Sequence, residues 1–136
     1  MRTKTELIKI AKLAGKQAIA PYSGFKVGAA LLSKKGKIFT GCNIEVSSYS
    51  LTICAERVAL FKALSEGVRE FDCLAIYANT ENFCPPCGAC RQVIWDFARD
   101  LTIVLINKKK EQREVKIADL YPDAFDEQYL SGLEHP

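Results

Sequence analysis

Apolar and polar positions alternate along this chain with two different periods. Near the start, Leu7, Ile10 or Ala11, Ala14 and Ala18 recur at helical spacing behind Thr5-Glu6, predicting an amphipathic helix that stops before Pro21. Val27 to Leu32 then reads as a buried strand. Lys34-Lys35-Gly36 turns it into a second strand, Lys37 to Asn43. Thr52 to Glu66 is predicted as a helix with Thr52 as its cap and Gly67 beyond its C-terminus. Phe71 to Ala78 is a third strand, and a helix opening with Pro86 at its first position runs to about Ala98. Leu101 to Asn107 is a fourth strand and Glu114 to Ile117 a shorter fifth. Short helical pieces follow at Ala118–Tyr121 and Asp126–Leu130. The order α-β-β-α-β-α-β-β implies an α/β sandwich: a mixed five-stranded sheet flanked by helices, in one domain over residues 1–136.

Composition narrows this picture in one respect. A chain of 136 residues with 49% hydrophobic and 26% charged residues is an ordinary globular domain, able to bury a core without covalent staples. Its six cysteines are thus not needed as a disulfide scaffold. The N-terminal segment mixes Lys and Glu, with no apolar leader, and no stretch is long enough to span a membrane. A cytoplasmic protein with reduced thiols is expected, where Cys-x-x-Cys spacing reads first as a metal or redox site. The net charge of +3 is too mild to predict a nucleic-acid partner, and the runs Lys34-Lys35-Gly36-Lys37 and Lys108-Lys109-Lys110 read as solvated hairpin turns. The single His, at position 135, stands beside the C-terminal Pro136 and is a poor candidate for ligand or base. Histidine-dependent nucleophilic catalysis is correspondingly disfavoured.

The chemistry concentrates in Phe83-Cys84-Pro85-Pro86-Cys87-Gly88-Ala89-Cys90-Arg91. An iron–sulfur run would need a cysteine at position 94, which is Ile. A redox dithiol of Cys84 and Cys87 would leave Cys90 unexplained one helical turn on. Zinc explains more. Cys87 and Cys90 sit at a predicted helix start, where free N–H groups and the helix dipole favour thiolates. Cys54 opens another helix in the same way. If Cys84 were a fourth ligand the site would be closed and structural; three thiolates leave the open position of a catalytic zinc. Glu56, two residues after Cys54, tilts the choice, because a carboxylate beside metal-bound water can take and return its proton. Arg57 could offset the excess negative charge by donating hydrogen bonds to ligand sulfurs, and Arg91 is a second candidate for that compensation. Cys42 and Cys73 look like packing.

Cys54-Ala55-Glu56 followed by Pro86-Cys87-Gly88-Ala89-Cys90-Arg91-Gln92-Val93 resembles the signature of the zinc-dependent deaminases. Ala20-Pro21-Tyr22-Ser23-Gly24-Phe25-Lys26-Val27-Gly28-Ala29-Ala30-Leu31 and Gly41-Cys42-Asn43-Ile44-Glu45 are similar to the small, homotetrameric, three-cysteine cytidine deaminases. The resemblance runs to about Phe125. It implies a three-layer cytidine-deaminase-like sandwich holding one Zn2+ per chain on Cys54, Cys87 and Cys90. The activity implied is hydrolytic deamination of cytidine and 2′-deoxycytidine to the uridines, with release of ammonia, in pyrimidine salvage. In that chemistry, hydroxide generated at the zinc attacks C4 of cytosine while Glu56 shuttles the proton. Asn43 and Glu45 would bind the ribose 3′-hydroxyl from one face of a strand, and Phe25 would pack on the pyrimidine. Ala55 would offer its backbone amide or carbonyl at the pocket edge. Phe125 and Tyr49 would reach a neighbouring subunit's pocket, placing the sites of a homotetramer near its interfaces. The implied partner is a free nucleoside, with neither nucleic acid nor membrane.

Overall fold

The computed structural model describes residues 3–130. Helix α1 (Lys4–Gly15) begins at Thr3, whose hydroxyl accepts the N–H of Glu6 at 3.1 Å, the usual N-cap arrangement. Strands β1 (Val27–Ser33) and β2 (Ile38–Cys42) form a hairpin. Helix α2 (Ala55–Ser65), β3 (Phe71–Ala78), helix α3 (Gly88–Phe97), β4 (Thr102–Ile106), β5 (Gln112–Lys116) and the short helix α4 (Ile117–Leu120) follow. Short 3-10 turns lie at Tyr49–Leu51 and Glu127–Tyr129.

The sheet order is β2-β1-β3-β4-β5. Only β3 and β4 are parallel, because α3 carries the chain back across the sheet between them; the other pairs are antiparallel. The predicted mixed five-stranded sheet with helices on both faces is thus the observed architecture, in three layers. Alternation along the strands sorts the side chains. Leu31, Leu74 and Ile103 lie in register, as do Ala29, Ile76 and Leu105, and both rows pack beneath α2 and α3. Ala30, Ala75 and Val104 form the opposite row, against Leu7 and Ala11 of α1. Each large aliphatic side chain buried here contributes about 1.5–3 kcal/mol.

Two glycines bring helices unusually close to the sheet. A Cβ on Gly28 would lie 2.0 Å from the carbonyl oxygen of Ala11 in α1. A Cβ on Gly41 would lie 2.1 Å from the carbonyl oxygen of Ala55, the first residue of α2.

The ends of three helices differ from the sequence expectation, for identifiable reasons. Helix α1 stops at Gly15, well before Pro21, because Ile19 leaves to bridge Ile44 through Ile19 N–H to Asn43 O and Glu45 N–H to Ile19 O. Thr52 does not cap α2: its hydroxyl accepts the N–H of Val46, and Ile53 bridges Ile44. Cys54 takes the N-cap instead. Pro86 is not the first residue of α3, since Cys87 is its N-cap and Gly88 its first residue. Gly67, with φ of +89°, does follow the end of α2 in the left-handed conformation expected of it. His135 lies outside the described residues.

Candidate active site

The two helix starts that capture cysteines as caps converge. Cys54 and Cys87 are the N-caps of α2 and α3, both in extended conformation, and Cys90 is in the first turn of α3 with its N–H directed to Cys87 Sγ at 3.5 Å. Cys54 Sγ lies 3.5 Å from Cys87 Sγ, which lies 3.4 Å from Cys90 Sγ; all three sulfurs are within 4.8 Å of one another. Tetrahedral zinc–thiolate bonds of about 2.3 Å place their sulfurs roughly 3.7 Å apart, so the trio fits one zinc in both spacing and donor type.

The surroundings favour anionic sulfur. Both helix N-termini point their dipoles at it. Arg57 donates from Nη2 to Cys54 Sγ at 3.6 Å, while its Nε is buried without a hydrogen-bond partner among the described residues. Hydrogen bonding from Cys90, and secondarily from Arg57 and Cys87, outweighs burial and lowers the Cys54 thiol to about 5. Cys90 is driven strongly upward, first as the donor in its hydrogen bond to Cys54 and then by burial. Ionisation of Cys54 thus comes at the expense of Cys90, and a bound dication would let both be thiolates.

Glu56 is buried in the first turn of α2. Burial raises its carboxyl to about 7, with the nearby Cys54 charge acting in the same direction. Together with Cys54 and Cys87 it borders a cavity of about 270 Å³. Cys54, Ala55, Glu56 and Cys87 line one part, and Phe25, Asn43, Glu45 and Tyr49 another. The carbonyl of Ala55 is the group pressed against Gly41, so that half of the expected contribution from Ala55 is engaged in packing α2 onto β2.

Asn43 and Glu45 are placed together, but not as members of one strand. β2 ends at Cys42, and the bridges of Ile44 keep the following residues extended. Asn43 Oδ1 accepts from Val27 N–H at 2.9 Å and its Nδ2 donates to Phe25 O at 2.6 Å. Glu45 accepts the N–H groups of Tyr22 and Ser23 at 3.0 and 3.1 Å and the hydroxyl of Ser23. The Ser23 hydroxyl is the main reason the Glu45 carboxyl sits below its usual range. These two side chains therefore fasten residues 22–27 into the cavity wall. The sequence reading missed Ser23, whose place in a Pro-Tyr-Ser-Gly turn carries no signal of a carboxylate partner.

Phe25 is partly exposed at the cavity, and Tyr49 lines it with its ring edge-on to Tyr22. Phe125 does not line the cavity of its own chain; it is exposed and stacks on Tyr129 at 5.2 Å. Cys84 lines the cavity but stays outside the sulfur trio, and burial pushes its thiol up to about 11. Arg91 does not face the sulfurs as a compensating charge. It donates from Nε to Pro86 O at 2.8 Å and from Nη1 to Leu120 O at 2.9 Å, tying two backbone segments together.

A three-thiol zinc site at converging helix starts, with a buried carboxyl beside it and a cavity in front, defines a zinc-dependent hydrolytic enzyme of α/β architecture. The chain belongs to the cytidine and deoxycytidylate deaminase family, whose zinc-binding region model matches residues 1–106. It is 52% identical over 127 residues to the cytidine deaminase of Sporosarcina psychrophila, covering 93% of each chain. It is 49% identical over 120 residues to that of Halalkalibacterium halodurans, covering 88% of this chain and 91% of the relative. Its fold is similar to the crystal structure of cytidine deaminase from Burkholderia pseudomallei, with a TM-score of 0.89 and 49% identity over 91% of this chain and all of that one.

Proposed function

We propose that this enzyme hydrolyses cytidine and 2′-deoxycytidine to uridine and 2′-deoxyuridine with release of ammonia, and that Cys54, Cys87 and Cys90 hold its zinc. The observation that carries this reading is the buried carboxyl of Glu56 at the cavity wall, two residues from one sulfur of the trio. When bound, zinc supplies Lewis-acid activation of a water molecule.

Glu56 moves two protons in turn: one from the water that adds to C4, passed to ring N3, and a second from the hydroxyl then carried at C4, passed to the amino group, so that the C4–N bond breaks, ammonia leaves and the C4 carbonyl of uridine forms. Its buried, near-neutral balance between acid and base suits a group that must do both. Arg57 holds Cys54 and offsets thiolate charge. Phe25 packs on the pyrimidine, while Asn43 Nδ2 donates to the ribose 3′-hydroxyl and Glu45 accepts from it, on a wall that Ser23 braces. The backbone of Ala55 borders the base. Tyr49 borders the pocket of its own chain at the edge nearest a neighbour, and the exposed Phe125 serves a neighbouring subunit's pocket in a homotetramer. The chain acts as one domain, residues 1–136, in the cytoplasm, in pyrimidine salvage.

Loss of cytidine ultraviolet absorbance on adding purified, zinc-quantified protein tests the reaction. Turnover of the nucleoside with none of a cytosine-containing oligonucleotide is the expected result. Preference for the oligonucleotide, or inactivity with one zinc per chain, overturns it.

A further inference from the structure

The face of the sheet that carries α1 holds two adjoining cavities, of about 270 and 390 Å³, which share Lys12 and Tyr77 as walls. Five lysines line them: Lys12, Lys16 and Lys26 in the first, and Lys9, Lys12 and Lys110 in the second. No aspartate or glutamate lines either cavity. Elsewhere on the surface Lys4 pairs with Glu114, Lys37 with Glu66, and Lys108 and Lys109 with Glu81, while Lys34, Lys35, Lys62 and Lys116 are scattered singly or in one turn without a carboxylate partner among the described residues. None of the five groove lysines has a carboxylate within ion-pair distance among the described residues.

The groove also has a shaped floor. Tyr77 is half-buried between the strands and α1, and Lys12 Nζ sits 5.8 Å from its ring centroid. Asn79 and Gln112 supply amide donors and acceptors at the edges. Lys9, Lys12 and Lys16 follow one another along α1 and its C-cap, over roughly 10 Å at 1.5 Å per residue. That is too short for a long phosphodiester tract and well matched to a compact ligand with several charges.

We propose that this groove binds a short chain of phosphates, either free or as the triphosphate of a nucleotide. The five lysines lining the two cavities match the three or more negative charges of such a chain, and the amides of Asn79 and Gln112 can meet an attached base. The site is separate from the sulfur trio, which lies beyond the opposite face of the sheet under α2 and α3, so it does not depend on the proposed reaction. The overall charge of +3 conceals it, because acidic residues elsewhere offset the clustered lysines.

Calorimetric titration of the zinc-loaded protein with inorganic tripolyphosphate and with ATP, at low ionic strength and again in added salt, tests it. One ligand per chain is expected, with affinity falling as salt rises. The variant Lys12→Gln/Lys16→Gln should weaken binding roughly tenfold or more, as removing two close charges does. The control Lys34→Gln/Lys35→Gln should leave binding unchanged. Equal affinity for the two ligands identifies the phosphate chain alone as the ligand, and tighter binding of ATP identifies a nucleotide. Absence of binding, equal weakening in the control, or binding of a single-stranded oligonucleotide without tripolyphosphate overturns the proposal.

Discussion

The two faces of the sheet are assembled by the same device and end in opposite chemistry. On one, α1 lies against Gly28; on the other, α2 lies against Gly41. The first face carries ammonium groups along a helix flank, and the second carries thiols and a carboxyl at helix ends. The difference is one of presentation. A helix end offers unpaired N–H groups and a favourable dipole, which steady anionic sulfur. A helix flank offers only what its side chains bring, so α1 gathers charge by lysine count. Close seating on glycine has different consequences for the two: beneath α2 it sets the position of Cys54 and Glu56 at angstrom scale, whereas beneath α1 it mainly closes the core.

The contrast can be broken most severely at Glu56. Glu56→Gln keeps the shape of the α2 end and removes the proton carrier; kcat should fall roughly 10²–10⁴-fold with zinc content unchanged. Unchanged kcat would remove Glu56 from the chemistry. The glycines compare the two faces directly. Gly28→Ala and Gly41→Ala should each destabilise by about 1–3 kcal/mol or more, seen as a lower Tm, because a new methyl group meets backbone in both. Specific activity of the remaining folded protein should drop only for Gly41→Ala, since Ala55 lies between Cys54 and Glu56. Equal activity losses would mean that both faces position the site.

Arg57→Ala is a smaller step, expected to lower activity about 10-fold while zinc content falls less. Parallel losses in the two measurements would confine Arg57 to metal retention. Cys84→Ser is the smallest. Zinc per chain and activity should both persist, because Cys84 Sγ stands outside the trio; loss of metal would make Cys84 a ligand.

Strand periodicity was readable from the residues: β3 runs from Phe71 to Ala78 as expected, because a run of apolar residues bounded by polar ones admits few alternatives. Helix starts were less so. Thr52 and Pro86 carry strong local capping signals, yet tertiary bridges at Ile44 and Ile53 occupy one region and a cysteine takes the cap in both. Spacing along the chain brought Cys87 and Cys90 together and marked Cys54 and Glu56, but nothing in it measures the approach of α2 to α3. The roles of Asn43 and Glu45 in gripping residues 22–27 depend on a backbone path that wraps from Ile19 back to Ile44, which no local pattern encodes. The Lys108-Lys109-Lys110 run is the exposed hairpin turn that the sequence predicts, between β4 and β5; within it Lys108 and Lys109 pair with Glu81 and Lys110 lines the groove.

Arg91 has a consequence for how tightly the C-terminal part of the chain is held. Its guanidinium grips the carbonyl just ahead of Cys87 and, with its other arm, the carbonyl that ends α4. Whatever immobilises the sulfurs also immobilises the strap that leads to Phe125. Amide hydrogen exchange around Leu120 should accordingly slow when zinc is added, so that a metal held by two helix starts is registered some thirty residues further along the chain.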